Sequence, residues 1–483
     1  MSTQIEPRTD DHGTGQAGDS HDLSPTELLR RLYALFHNKR FGLLLILAMA
    51  VLTLFGVLFP QAPGDALADP ASREAWLETV RPRYRGWTDI LATLGIFGVF
   101  GSLAFKVVTV TLALSIVACT THRFPQLWKQ AHHPHTHVRP TFFDHARTQG
   151  TALVAADANV TAGAVKAALH RHRFRTLADA DGTPLYADRN RFAPFGTVVA
   201  HAAFVVILAG VLVTSTFGFR IDDLSVPVGS RVEVGQGTGL AVEARSFTDS
   251  YNPDGSPSDY VSDLVLYSEG AQVAEQIVRV NAPLDWQGWS LNQASFGIAA
   301  DLKVTDAAGA TLFDGALPLE YQLEGQYSYG KATIEGTDLL VYVITPASGR
   351  VVPDIPAGQA QIEVYAGGTD SPVFSSLVPP GQPVEGAGHA WTFVRERQYT
   401  GLMLSRDPGA PIVWIGSALL AIGTCWTMFL RHQRLWIRLE PGPDGTRVTL
   451  ASPDRHDTAF ARQVNELVAG LGDTPAPPTT RKK

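Results

Sequence analysis

Residues 192–217, FAPFGTVVAHAAFVVILAGVLVTSTF, form an apolar block without a single charged side chain. At about 1.5 Å of rise per residue, a helix of this length crosses the roughly 30 Å of hydrocarbon in a bilayer. Three further apolar blocks lie at residues 41–59, 98–119 and 411–430. Although 18% charged residues would suit a soluble protein, the clustering predicts an α-helical membrane protein with four spans.

The first block could instead be a signal peptide, because Ala66-Leu67-Ala68 resembles a cleavage site. The length of the block, and the polar segment of about forty residues before it, favour a retained span. The second block contains Lys106, whose ammonium group can extend toward the membrane surface. The start of that span is therefore placed between Gly98 and Leu103.

Basic residues are distributed unevenly between the blocks. Residues 123–191 carry ten Lys and Arg against five aspartates, whereas residues 220–407 carry ten against twenty-four acidic residues. Lys and Arg are retained on the cytoplasmic side of a membrane. We therefore predict that both termini are cytoplasmic and that the segment between the third and fourth spans lies outside.

The segments between the spans differ in composition and periodicity. Alternating and β-branched runs separated by Pro/Gly turns predict a sandwich or an open barrel between the third and fourth spans. The full predicted order is a disordered cytoplasmic tail (1–24), an amphipathic helix capped by Ser24 that lies along the inner membrane surface (25–40), an extracytoplasmic loop (60–97), a small cytoplasmic α/β unit (120–191), a large β-rich extracytoplasmic domain (218–410) and a cytoplasmic C-terminal tail (431–483).

His201 is the most informative single residue. It lies within the third span, where an unpaired polar ring is costly and often marks a site. Ala200, Ala202 and Ala203 are small enough to leave room for a flat cofactor, and neutral imidazole is a natural axial ligand for haem iron. The alternative is a histidine that is hydrogen-bonded to a neighbouring helix.

His432 follows the fourth span in a basic cluster with Arg431 and Arg434. Such a cluster beside Trp436 is typical of an anchor at the membrane surface. In a functional interpretation, the three residues form a haem pocket in which the arginines bind the propionates.

The chain has two cysteines, Cys119 and Cys425, both at or within a span. The β-rich domain therefore cannot exchange disulfides with another protein, because that reaction needs a thiolate on the same side. Cys119 is ordinarily a small packed side chain, but His122 and Arg123 could lower its pKa, and a haem vinyl group accepts thiols. The histidine-rich run 132–137 is better explained as a solvated loop than as a metal site.

Several stretches resemble the ResB-type family of System II cytochrome c biogenesis proteins. They are Leu58-Phe59-Pro60-Gln61, Tyr186 to Gly196, Asp285 to Leu291, Tyr399 to Leu402, Arg406-Asp407-Pro408-Gly409 running into the fourth span, and His432 to Trp436. Their order and spacing make the resemblance specific, and it covers roughly residues 25–440.

The resemblance implies a role in carrying haem b, as cargo, across the bacterial cell membrane for attachment to the Cys-x-x-Cys-His segment of apocytochrome c. The implied partners are a tryptophan-rich haem-handling membrane subunit of the ResC/CcsA type, apocytochrome c, an upstream thioredoxin-like thiol reductant and membrane lipid, with no nucleic acid. The chain would be a non-catalytic or shared-catalysis subunit of a haem lyase. His201 becomes the favoured haem-iron ligand, and His432 a residue that matters at the inner face.

A protein of another class remains possible: a membrane-anchored scaffold or sensor whose acidic β-rich domain binds an extracytoplasmic protein. Such an anchor would need neither His201 within a span nor the ordered family motifs.

Overall fold

The computed structural model describes residues 24–62, 70–179, 183–254, 256–367, 369, 371–454 and 458–472. The predicted tail before Ser24, the cleavage-like Ala66-Leu67-Ala68, the turn residues 180–182 and the last eleven residues lie outside this description. Four helices are long and apolar enough to span a membrane, and a large β-rich domain lies between the third and the fourth. The predicted fold class is therefore confirmed.

The described residues contain ten α-helices, and the apolar blocks predicted the four spanning ones. The ten helices are α1 (Pro25–Phe36), α2 (Lys39–Leu58), α3 (Pro70–Tyr84), α4 (Thr88–Thr93), α5 (Leu103–His132), α6 (Pro140–Asp144), α7 (Ala158–Arg171), α8 (Phe195–Phe217), α9 (Ala410–Phe429) and α10 (Thr458–Gly472). Ser24 caps α1, accepting a hydrogen bond from the Glu27 amide at 3.3 Å.

The second spanning helix begins within the interval predicted for its start, 98–103, but extends beyond the predicted end of the span at Cys119. It begins at Leu103, because Ser102 caps it by accepting a hydrogen bond from the Phe105 amide at 3.1 Å. It also continues to His132, well past Cys119. The prediction ended the helix where polar residues begin, but polar side chains exposed on a helix do not interrupt its backbone hydrogen bonds.

The β-rich domain contains fifteen of the described strands in antiparallel sheets. They are β4 (Phe219–Pro227), β5 (Ser230–Glu233), β6 (Leu240–Tyr251), β7 (Pro257–Ser268), β8 (Ala271–Arg279), β9 (Leu284–Trp286), β10 (Trp289–Asp306), β11 (Thr311–Pro318), β12 (Tyr321–Leu323), β13 (Tyr327–Thr333), β14 (Leu339–Pro346), β15 (Ala360–Ala366), β16 (Phe374–Val378), β17 (Pro383–Gly386) and β18 (His389–Arg406).

Two sandwiches share the long strands β10 and β18, which pair along nearly their whole length. One end of this pair packs on the sheet β5-β6-β7-β8, through core residues such as Leu266, Leu291 and Leu404. The other end packs on the sheet β12-β13-β14-β15-β16, through residues such as Val343 and Trp391. The sandwich alternative is therefore the one that the structure has.

A second sheet domain joins two distant parts of the chain. Its sheet has the order β1-β20-β19-β3-β2, formed by β1 (Thr148–Val154), β2 (Arg175–Ala178), β3 (Pro184–Arg189), β19 (Gln433–Gly442) and β20 (Gly445–Ser452). Helices α7 and α10 cover one face, with Leu169, Leu435 and Val464 in the core. We call residues 140–189 and 433–472 the composite domain.

The composite domain corrects the prediction of a C-terminal tail over residues 431–483. That prediction is wrong for residues 433–472, which supply two central strands and a covering helix. Leu435 and Ile437 are alternate residues of β19, Val448 and Leu450 are alternate residues of β20, and all four are buried in the core of the domain. This segment completes the small α/β unit that was predicted for residues 120–191.

The chain divides into two compact units. The first comprises residues 1–49, 108–206 and 415–483, and the second comprises residues 50–107 and 207–414, in each case as far as they are described. The N-terminal ends of α2 and α8 and the C-terminal ends of α5 and α9 all belong to the first unit. This alternation is the one expected of four successive membrane crossings.

Candidate functional site

His201 lies in the first half of α8 and is half-buried. Its Nδ1 atom is 3.1 Å from the Thr120 hydroxyl on α5, which is its one hydrogen-bond partner among the described residues. If Nδ1 donates a proton to that hydroxyl, the lone pair of the imidazole is on Nε2. Metal-binding histidines are commonly oriented by such a partner on the other ring nitrogen.

The small residues beside His201 are partly used by helix packing. A methyl group added at Gly423 of α9 would lie 2.7 Å from the Ala200 amide nitrogen, and one at Gly196 would lie 2.5 Å from the Thr427 hydroxyl. Ala203 is completely buried. The predicted space for a flat cofactor therefore does not lie on the Ala200 side of α8, because the backbone of α9 fills it.

Cys119 and its neighbours hold the end of α1. The Cys119 thiol and the Ser115 hydroxyl both donate to the Phe36 carbonyl, at 3.7 and 2.8 Å. The rings of His37 and His122 stack with their centroids 4.3 Å apart. These contacts give Cys119 a structural role, and nothing in them tests the predicted reaction with haem.

His432 faces a buried carboxylate. Its Nε2 atom is 3.5 Å from Oδ2 of Asp188, and the side chains of the two residues are 12% and 1% exposed. This distance suits an ion pair but is longer than a good hydrogen bond. Arg175 binds the same carboxylate through two nitrogens, at 2.9 and 2.8 Å, and the Tyr186 hydroxyl donates to it at 3.4 Å.

The charges of this cluster are coupled. Burial by itself would raise the pKa of Asp188, but the contacts with His432 and Arg175 outweigh it, so that the pKa lies below its usual value. Burial and the Asp188 charge raise the pKa of Tyr186, which therefore stays protonated. Asp188 is an anion that holds three side chains around it.

The three residues of the predicted pocket, His432, Arg431 and Arg434, each contact a different partner. Arg434 forms an ion pair with Asp454, and its guanidinium lies 5.8 Å from the centre of the Trp436 ring. The Arg431 carbonyl accepts a hydrogen bond from the Asn190 side chain at 3.2 Å. His432 and Arg434 thus follow the same helix but pair with different carboxylates, and their assignment to haem stays a prediction.

Sequence reasoning missed Thr120, Asp188 and Arg175. Asp188 sits in the Tyr186 to Gly196 stretch, which was noted as a motif without a role for its carboxylate. Thr120 had no signal of its own, because only the packing of α5 on α8 brings it to His201. In the histidine-rich run, His132 stacks on Trp128 at 4.1 Å, and no group of three potential metal ligands occurs among the described residues.

A family model described as the ResB-like family matches residues 39–465, which is most of the chain. The chain belongs to this family. Similar curated proteins are named cytochrome c biogenesis protein CcsB. The one from Gloeobacter violaceus is 25% identical over 90% of each chain. The one from Synechococcus sp. (strain JA-3-3Ab) is 25% identical over 95% of this chain and 96% of its own. That from Thermosynechococcus vestitus is 26% identical over 85% and 89%.

In this ResB-like chain, two of the stretches that resemble the family form hydrogen bonds that connect neighbouring elements. Gln61 accepts a hydrogen bond from the Val99 amide at 2.9 Å and donates to the Ile96 carbonyl at 3.0 Å. Asp407 accepts from the Ala410 amide at 3.0 Å, which caps α9, and from the Thr214 hydroxyl at 2.5 Å, which ties α8 to α9. Family membership and relatives together support a role in cytochrome c maturation.

Proposed function

We propose that this ResB-like protein is the accessory subunit of a membrane cytochrome c synthase. It takes haem b as cargo and helps to move it outward for attachment to the Cys-x-x-Cys-His segment of apocytochrome c. The observation that carries the proposal is the family match over residues 39–465, together with relatives named for cytochrome c biogenesis.

The proposed location is the bacterial cell membrane, with both termini and the composite domain in the cytoplasm. The excess of Lys and Arg in residues 123–191 and the excess of acids in residues 220–407 support this orientation. The membership of the helix ends in the first unit is consistent with it.

His201 is the proposed ligand for the haem iron. Thr120 supports this role because it can hold Nδ1–H and leave Nε2 as the coordinating nitrogen. A half-buried histidine in a spanning helix with a single hydroxyl partner keeps a neutral imidazole available. Axial imidazole would hold the flat macrocycle in one orientation.

The thiols that form bonds to haem would come from the client. The chain has only Cys119 and Cys425, and both lie on spanning helices. The proposed partners are therefore apocytochrome c, a thioredoxin-like reductant that acts upstream on its cysteines, and a tryptophan-rich membrane subunit that supplies further haem contacts. This chain would position the haem and the apocytochrome, and the thiols of the apocytochrome would form the bonds.

The direct test is to co-express the chain with its tryptophan-rich partner and record the visible spectrum of the purified complex. We expect a haem absorption band that depends on both subunits. A gene deletion should remove haem-stainable c-type cytochromes and leave b-type haem proteins unchanged. Normal covalent cytochrome c in a deletion strain without another maturation system would instead favour the scaffold alternative.

A further inference from the structure

One face of the sheet β12-β13-β14-β15-β16 carries four neighbouring tyrosines. Tyr321 and Tyr329 stack at 5.1 Å, Tyr329 and Tyr342 are 6.1 Å apart, and Tyr342 and Tyr365 are 5.4 Å apart. The alternate residues of β14 and β15, such as Val343, point into the sandwich core. These tyrosines therefore face away from the core, and we call them the tyrosine face.

Carboxylates border the tyrosine face. The Tyr365 hydroxyl donates to Glu363 at 3.0 Å, and the hydroxyl of the neighbouring Tyr327 donates to Asp354 at 2.5 Å. Glu320 directly precedes Tyr321 in the chain, and the charges of Glu320 and Asp223, together with burial, raise the pKa of Tyr321. We call the bordering carboxylates the acidic rim: Asp223, Glu320, Glu324, Asp354 and Glu363.

The structure pairs no described Lys or Arg with the acidic rim. Among the described residues, no Lys or Arg nitrogen forms an ion pair with any of its five carboxylates. Elsewhere in the same domain arginines do pair with acids, as Arg245 does with Glu275 and Arg397 does with Asp301. Other acids of the domain, such as Asp285 and Glu335, also have no ion pair among the described residues, so the acidic rim is distinguished by the tyrosine rings beside it.

A buried hydroxyl lies beside the same carboxylates. Ser225 is 8% exposed, and its Oγ atom makes no hydrogen bond of acceptable geometry, although it lies beside Glu320 and Tyr399. Burial and the neighbouring Asp223 charge raise the pKa of Glu320. An added cation at this point would stabilise the ionised carboxylates and meet an unused polar atom.

The tyrosine face already receives one ammonium group. Lys331 places its Nζ atom 5.5 Å from the centre of the Tyr321 ring, a distance at which a cation is attracted to an aromatic face. One lysine does not balance the five carboxylates of the acidic rim. The geometry thus favours the binding of further ammonium groups.

We infer that the tyrosine face and the acidic rim bind a lysine-rich segment of a partner polypeptide. Lysine side chains would lie across the tyrosine rings and place their ammonium groups against Asp223 and Glu320. A metal ion fits less well, because no group of three potential metal ligands occurs among the described residues. The inference rests on the proposed function only in taking the apocytochrome client as the source of the segment.

Binding can be measured with the full-length protein in nanodiscs of uncharged phosphatidylcholine. The probe is a short fluorescent peptide of alternating lysine and glycine, compared with its glutamate counterpart. We expect the lysine peptide to bind, with an affinity that falls as salt is added. The double variant Asp223→Asn/Glu320→Gln should lower that affinity about tenfold.

The matched control is Asp285→Asn/Glu335→Gln, which removes two exposed carboxylates outside the acidic rim and should leave the affinity unchanged. Replacing Tyr329 and Tyr342 by leucine keeps apolar bulk but removes the rings, and should lower the affinity about two- to fivefold per ring. A thermal unfolding transition close to that of the wild type would show that each variant is folded.

Equal binding of both peptides, or wild-type affinity in Asp223→Asn/Glu320→Gln, would overturn the inference. So would binding of Ca²⁺, in place of the lysine peptide, that the same double variant abolishes. These outcomes are separable from failure of the proposed function. Haem staining in the deletion strain tests that function without reference to the peptide, and peptide binding is measured without haem.

Discussion

The composite domain and the β-rich domain are both built on antiparallel sheets, but they take their strands from the chain in opposite ways. All strands of the β-rich domain come from the single segment 219–406. In the composite domain β3 pairs with β19, and the paired residues Arg189 and Gln433 are 244 positions apart. One sheet forms within a continuous segment, and the other forms only when two distant segments meet.

The two domains also place their charges differently. The composite domain buries Asp188 and surrounds it with Arg175, Tyr186 and His432, so that one anion joins β2, β3 and the end of α9. The β-rich domain keeps its excess carboxylates at the surface, where no described Lys or Arg forms an ion pair with the acidic rim. An ionic cluster therefore joins separate segments of the composite domain beside its apolar core, whereas we propose that the surface charge of the β-rich domain binds a partner.

The proposed difference between the two domains would be refuted most clearly if the composite domain stayed folded without its C-terminal half. Truncation after residue 432 removes Leu435, Ile437, Leu450 and Val464 from the core. At about 1.5–3 kcal/mol for each buried side chain, this loss approaches or exceeds the whole stability of a typical domain. We expect rapid proteolysis of residues 140–189, while the β-rich domain stays protease-resistant. Truncation after residue 472 is the control and should leave both domains intact.

A second test separates cargo binding from partner binding. His201→Ala should remove one iron ligand, so the complex is made but retains at most about one tenth of the haem, and added imidazole should restore part of it. Thr120→Val should have a smaller effect in the same direction. Haem per complex is measured by absorbance against protein. A wild-type ratio in His201→Ala would sink the ligand assignment, and His432→Ala measured in parallel tests the second predicted haem residue.

Asp188→Asn tests whether a buried anion organises the composite domain. It would leave the Arg175 guanidinium without its counter-charge, at a cost of about 3 kcal/mol in the free energy of unfolding. The matched control Glu233→Gln breaks a surface pair with Arg231 in the β-rich domain and should cost less than about 1 kcal/mol. Pulse proteolysis in urea measures both. Equal effects would show that Asp188 has no special role.

Acid should have opposite effects on the stability contributed by Asp188 in the composite domain and by Glu320 in the β-rich domain. The lowered pKa of Asp188 gives stability that is present above the ordinary carboxyl value of about 3.9 and is lost as the pH falls through the lowered value. The pKa of Glu320 is raised, so its contribution is present below the ordinary value and is lost as the pH rises through the raised one. Hydrogen exchange followed from about pH 4 downward should show weakening of β3 that Asp188→Asn abolishes. The prediction for Glu320 would be contradicted if protection near this residue decreased with acid in the wild type but not in Glu320→Gln.

The smallest expected effect concerns the joint between the β-rich domain and α9. Asp407→Ala removes the helix cap and should lower stability by about 1 kcal/mol, whereas Asp407→Asn, which can still accept these hydrogen bonds, should be close to neutral. Thermal aggregation temperatures of the detergent-purified variants give the ranking. If both substitutions behaved alike, the carboxylate would be important for a reason other than capping.

The elements with strong local signals were predictable from sequence. Four apolar blocks gave the spans, and Ser24 gave the start of α1. Alternation in segments such as Val341 to Ile344 gave the β-rich domain. These elements could be predicted because the spans, the helix cap and the strands each depend on residues that are close together in the chain.

What could not be predicted depended on distant partners. Leu435 and Ile437 look unremarkable in a polar C-terminal segment, and their burial requires β3. His432 stood in a basic cluster and suggested an anchor or a haem pocket, because nothing nearby in sequence indicated that Asp188 would face it. His201 was found from its place in a span, but its contact with Thr120 required the packing of α5 on α8.

The division of the composite domain also sets an order of events during synthesis. When β3 leaves the ribosome, its pairing strand β19 is still 244 residues away. At about 5–20 residues per second, that gap lasts roughly 12–50 seconds. Throughout this interval the edge of β3 and the apolar side of α7 have no strand or helix to cover them. The nascent half-domain must therefore be protected from aggregation until the last span has been inserted and the C-terminal strands arrive.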